Sequence, residues 1–109
     1  MSFAIVFPGQ GSQSVGMMTA YGDAAVVRAT FDEASAALGD DLWALVAEGP
    51  VEALAQTVNT QPVMLTAGIA AWRLWRERGG RMPAVVAGHS LGEYSALVVA
   101  GVIELKDAV

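Results

Sequence analysis

The chain has 109 residues, 54% of them hydrophobic and 16% charged, with a formal net charge of −5. That length allows one small domain at most, and the apolar share is more than so short a chain easily hides by itself. Six basic residues against eleven acidic ones exclude the Lys/Arg stripe of a nucleic-acid binder, and the absence of cysteine excludes disulfides and thiolate metal sites.

The opening Met1-Ser2-Phe3-Ala4-Ile5-Val6-Phe7-Pro8 has no basic leader and turns polar too soon for a signal peptide. Phe3 to Phe7 is a short apolar run ended by Pro8-Gly9, the pattern of a buried parallel strand. A glycine-rich loop follows, Gly9 to Gly16. Two nucleotide-binding readings of it fail. The dinucleotide pattern needs glycine where Ser14 stands, and a phosphate loop opening at Gly11 needs lysine and a hydroxyl residue where Met17-Met18 stands.

Asp23 is expected to cap a helix with an inward stripe of Val27, Phe31, Ala34 and Leu38, stopped by Gly39. Asp41 starts a short helical piece through Leu42, Trp43, Leu45 and Val46, closed by Gly49-Pro50. Another covers Val51 to Gln56. The longest helix is expected from about Pro62 to Arg78, burying Leu65, Ile69, Trp72 and Trp75 and ending at Gly79-Gly80. The uncharged run from Ala53 to Trp72 contains Gln56, Asn59, Gln61 and Pro62, which argues against a membrane span. Arg73, Arg76, Arg78 and Arg81 cluster at that helix end, a placement favoured by the helix dipole; docking of an acidic partner is the alternative. Leu105 begins a further helix.

Between these helices lies the most telling segment. Ala84-Val85-Val86-Ala87 leads into Gly88-His89-Ser90-Leu91-Gly92, and Glu93-Tyr94-Ser95-Ala96-Leu97 leaves as a helix. Strand, G-x-S-x-G turn and helix in that order are the nucleophile elbow, whose glycines leave room for a strained turn that lifts the serine hydroxyl clear. Ser90 is the expected covalent nucleophile. The helix points its N-terminus at the reacting centre. A loop leaving the first strand lies at the same carboxyl edge of a parallel sheet, so the backbone amides of Gln10 and Leu91 are the expected oxyanion donors; a plain glycine turn is the competing reading of the loop.

His89 is the one histidine. Adjacent extended residues point to opposite sides, so it is not expected to reach Ser90 as a base; it lines the pocket or packs beside the strand. Glu93 serves as a cap or a solvated first-turn acid. Gln61 faces the site or is an ordinary residue at a helix start. Two strands among more numerous helices are too few for a stable parallel sheet. The expectation is therefore the front part of a larger α/β protein, its general base elsewhere.

Taken together, Phe7-Pro8-Gly9-Gln10-Gly11-Ser12-Gln13, Thr60-Gln61-Pro62 and the block from Gly88 to Leu97 closely resemble the malonyl-CoA:acyl-carrier-protein transacylases. That resemblance implies an α/β fold in which residues 1–109 are the N-terminal part of an α/β-hydrolase-like large subdomain, the ferredoxin-like small subdomain being absent. It implies malonyl transfer from coenzyme A to the phosphopantetheine thiol of acyl carrier protein, through a malonyl-serine at Ser90, in fatty-acid biosynthesis. Gln10 and Leu91 would form the oxyanion hole, and Gln61 and His89 would lie in or beside the site. Leu91 resembles the residue of malonyl-selective members. The family's base histidine and carboxylate-binding arginine would fall beyond Val109, so these residues alone are expected to be inactive. The expected partners are malonyl-CoA and acyl carrier protein, with no metal, no resident cofactor, no nucleic acid and no membrane, in the cytoplasm. A serine hydrolase of the patatin-like lipase type is the alternative, and a non-catalytic interaction module a more distant one.

Overall fold

The computed structural model describes residues 3–9, 11, 13–22, 24–88 and 90–109. Gln10, Asp23 and His89, each named above, lie outside the described residues. The elements in order are β1 (Ala4–Phe7), a 3-10 turn (Thr19–Tyr21), α1 (Ala25–Leu38), α2 (Leu42–Glu48), α3 (Val51–Ala55), α4 (Thr57–Glu77), β2 (Val85–Gly88), α5 (Leu91–Val99) and α6 (Leu105–Ala108).

The two strands pair in parallel, Ala4 opposite Val85 and Phe7 opposite Gly88. Side chains alternate across a strand, and the two faces of this ribbon differ. Phe7 is buried, and Ile5 and Val86 are half-buried, on the face that the helices cover. On the other face Ala4, Val6, Val85 and Ala87 are all exposed, Val6 to 73%. The strand expected to be buried is thus buried on one side only, because no described element packs on the other.

The core sits between α1, α2 and α4. Phe31 and Val63 are fully buried, and Val27, Leu42, Leu65 and Ile69 nearly so. Each such side chain stabilises the fold by about 1.5–3 kcal/mol relative to an exposed one. Phe31 also meets the Trp43 ring edge-on, centroids 5.3 Å apart, and Arg28 lies 5.0 Å over the same indole. Gly39 ends α1 with left-handed backbone, its N–H donating to Ser35 O. Asp41 caps α2 as its position suggests, accepting from the Ala44 N–H at 3.0 Å. Ala24 holds the N-cap position of α1.

Three expectations need correction. Leu38 is 37% exposed; at the last turn of α1, its side of the helix has run past the core. α4 starts at Thr57, so Pro62 lies inside it rather than at its start. Side-chain bonds hold that early turn. The Asn59 amide donates to Ala53 O at 2.9 Å, and the Thr60 hydroxyl contacts the carbonyl oxygens of Leu54 and Gln56. Finally, Trp72 is only half-buried and Trp75 is 46% exposed. Both line an apolar cavity of about 420 Å³ beside β1 rather than the core.

Candidate active site

Ser90 follows β2 and precedes α5, and its backbone is the outlier of the molecule. It has φ 54 and ψ −113, and among the described residues it is the one non-glycine at positive φ. Holding a residue with a Cβ there costs on the order of 1–3 kcal/mol. Serine at a helix N-cap ordinarily folds its hydroxyl back onto the second or third amide. Ser90 occupies the N-cap of α5 yet makes no such bond, and the residue is exposed. The strain therefore turns a capping serine into one whose oxygen faces outward, uncommitted to its own helix.

The flanking glycines make the turn possible. A Cβ on Gly88 would run into the backbone of Gly92 and Glu93, and one on Gly92 into the carbonyls of Phe7 and Pro8. The second clash has a further meaning, because Phe7 and Pro8 are where β1 ends and its glycine-rich loop begins. The close approach at Gly92 thus seats that loop against the elbow. Parallel pairing of β1 and β2 sends both chains out at one sheet edge, the edge where ligands bind in open α/β sheets.

Leu91 opens α5, with its side chain buried to 9% exposure in the main core. In α5 the Glu93 N–H donates back to Ser90 O at 3.0 Å. The Leu91 amide, two residues earlier, belongs to the first-turn N–H groups that have no intrahelical acceptor. The helix dipole favours negative charge at this point. Gln61, exposed on the second turn of α4, shares a cleft of about 410 Å³ with Leu91, Pro62, Tyr94 and Val58. Tyr94, in the same cleft, is 52% exposed. Glu93 is exposed in the first turn of α5. Among the described residues no group of side chains is suited to a metal ion and no helix is long and apolar enough to cross a membrane.

The arginine cluster lies at the opposite end. Gln61 and Arg76 are fifteen residues apart on α4, about 22 Å at helical rise. Arg73 pairs with Glu33 at 2.6 Å, Arg76 donates to Gly80 O at 2.7 Å and Arg81 lies 5.6 Å over the Phe3 ring. These contacts tie the end of α4 to α1 and to the start of β1.

A sheet edge carrying a strained, exposed serine between two closely packed glycines has counterparts in known proteins. The acyl transferase domain profile matches residues 4–109. The chain belongs to the acyl transferase domain family. It is 63% identical over 108 residues to the malonyl CoA-acyl carrier protein transacylase of Salmonella typhimurium, covering 98% of this chain and 35% of that protein. Against the transacylase of Bacillus subtilis strain 168 it is 48% identical over 107 residues, 97% of this chain and 33% of the relative. Among solved structures, the acyl-carrier-protein S-malonyltransferase of Burkholderia pseudomallei superposes with a TM-score of 0.97 at 63% identity, covering 99% of this chain and 35% of that one. A malonyl-transacylase solved in complex with a type II polyketide acyl-carrier protein superposes at 0.95 with 59% identity, over 99% of this chain and 35% of that one. The chain therefore spans about a third of the length of the relatives it matches. Its α/β architecture, a parallel strand pair with flanking helices, is theirs.

Proposed function

We propose that this acyl transferase chain is the nucleophile-bearing part of an acyl-carrier-protein S-malonyltransferase of fatty-acid synthesis. The observation that carries the proposal is the Ser90 backbone, φ 54 and ψ −113 with an exposed, non-capping side chain, in a family of acyl transferases. The relatives named above are malonyl transacylases, which favours transfer over the patatin-like hydrolase alternative.

In this reading the Ser90 oxygen attacks the thioester carbonyl of malonyl-CoA. A serine–acyl bond forms, the carbon–sulfur bond breaks and coenzyme A leaves as its thiol, carrying the proton relayed from serine. The phosphopantetheine thiol of acyl carrier protein then attacks the malonyl-serine, and serine recovers its proton. The amides of Gln10 and Leu91 stabilise the oxyanion in both halves, each such donor contributing about a hundredfold or more in rate. Gln61 and His89 border the acyl group. Coenzyme A arrives as a substrate, and no resident cofactor or metal takes part.

These residues are the N-terminal part of an α/β-hydrolase-like large subdomain, and the rest of the enzyme, including the ferredoxin-like subdomain, supplies the base and the carboxylate anchor. A malonyl carboxylate calls for a bidentate arginine, whereas Arg73, Arg76 and Arg78 cluster at the end of α4 away from Gln61. Transfer to a thiol also needs water kept out, which an open sheet edge does not do. Residues 1–109 alone are therefore expected to turn over no malonyl-CoA. The test is acylation of the full-length polypeptide by malonyl-CoA with peptide mapping: label on Ser90 is expected, and label elsewhere, or none, overturns the proposal. Faster reaction with an uncharged nitrophenyl ester would instead support the hydrolase.

A further inference from the structure

A strained residue keeps its backbone only where the surrounding packing over-determines it. For Ser90 the elbow glycines supply one side of that packing, and α4 supplies the other. Gly68 is the one glycine of α4 and stands in its middle, where it weakens the helix relative to alanine. A Cβ there would lie 3.1 Å from Phe7 Cδ1 and 3.3 Å from Ser95 Oγ, tighter than such contacts ordinarily come. Both neighbours are buried, and both support the elbow. Phe7 ends β1, pairs with Gly88 and has its carbonyl pressed by Gly92. Ser95 comes three residues after Gly92, on the same side of α5. The missing side chain thus lets the α4 backbone meet β1 and α5 at one point, and α5 is held between that point and the end of β1.

We infer that Gly68 is a positioning residue for acyl transfer: by admitting Phe7 and Ser95 against the α4 backbone it seats α5 so that Ser90 keeps its strained turn. Gly68 has no side chain to offer a substrate and acts only through its two neighbours. The inference rests on the proposed acylation of Ser90 and extends it to α4.

The test is the pre-steady-state acylation of the full-length polypeptide by malonyl-CoA, joined to a stability cycle. Gly68→Ala forces Phe7 and Ser95 back by a few tenths of an ångström. A misplacement of about 1 Å made far from the chemistry can cost about a hundredfold, so the acylation rate constant is expected to fall about tenfold. The burst amplitude and the malonyl-CoA concentration at half-maximal rate are expected to stay within about twofold, since the nucleophile is shifted and not lost. Should Gly68→Ala misfold, Ser95→Cys presses the same contact from α5 with a larger atom, and the same fall is expected. The second readout separates positioning from plain packing. Ser90→Gly relieves the positive φ and is expected to raise the urea midpoint; in the Gly68→Ala background, where the turn is already loosened, that rise is expected to shrink. Independent sites would give equal rises. An unchanged acylation rate, a loss carried wholly by burst amplitude, or equal rises in both backgrounds would overturn the inference. A wild-type polypeptide showing no burst would overturn the transferase reading and this inference with it, whereas full-rate bursts in Gly68→Ala and Ser95→Cys overturn the inference alone.

Discussion

The two ends of the β1–β2 ribbon contain crowded glycines of opposite kinds. At the carboxyl end Gly88 and Gly92 are hemmed in by backbone, and the chain between them is bent to the positive φ of Ser90. At the amino end Gly80 is crowded by the indole of Trp75, a half-exposed side chain. That indole bonds Arg81 O at 2.9 Å and meets Phe3 edge-on at 6.2 Å. Backbone cannot step aside and a surface side chain can. Strain is stored at the end with a serine to present, and the other end is held by contacts that can yield.

The largest effect that would break this contrast is at Ser90. Ser90→Ala in the full-length polypeptide is expected to lower malonyl transfer by about a millionfold, by analogy with loss of other serine nucleophiles. Measurable turnover near the wild-type rate would show that the bend serves something else. Ser90→Gly sharpens the point. It should be as inactive, yet more stable by about 1 kcal/mol, because glycine relieves the positive φ and returns part of that gain as unfolded-state entropy. Urea midpoints of the two variants measure the difference. A glycine variant less stable than wild type would mean that the elbow is not strained. Next in size is Gly92→Ala. Its methyl meets the Phe7 carbonyl, so either β1 or α5 must move. A loss of about 3 kcal/mol, the upper range for overpacking a filled site, is expected, with activity falling further than the unfolded fraction explains.

The elbow was readable because its chemistry is local: two glycines, a serine and the order of strand and helix lie within a few residues. The glycine-rich loop after β1 was half readable. Its place at the sheet edge follows from β1, but the Gln13 bond to Gly11 follows from no periodicity. Pro62 misled for a physical reason. Proline favours a first helical turn, and Thr57, Val58 and Asn59 ahead of it are weak helix formers. Their turn is held by bonds from Asn59 and Thr60 to carbonyls of the preceding segment, which no propensity registers. The spacing of Trp72 and Trp75 fitted an inward stripe, yet the buried residues of α4 run from Thr60 through Val63, Leu65 and Ile69 to Leu74. With neighbours on several sides, α4 turns aliphatic and small residues inward and leaves its two indole rings to the cavity beside β1.

The smallest expected effects lie at the amino end, where the same kind of substitution as Gly92→Ala should be mild. Gly80→Ala drives a methyl against the Trp75 ring, which can swing into solvent. Swinging gives up the bond to Arg81 O and the edge contact with Phe3, together about 1 kcal/mol after water replaces them. Arg81→Ala should cost less, about 0.5 kcal/mol, since an exposed cation over a ring is weakly held. Neither variant should change the acylation rate, because the cluster lies about 22 Å along α4 from the Gln61 end. Thermal midpoints of the four variants, Gly80→Ala and Arg81→Ala beside Gly92→Ala and Ser90→Gly, and burst rates of the three that keep Ser90 test the whole comparison. If either amino-end variant slowed acylation as much as Gly92→Ala, the two ends would be coupled through the ribbon and the division of labour drawn here would fail.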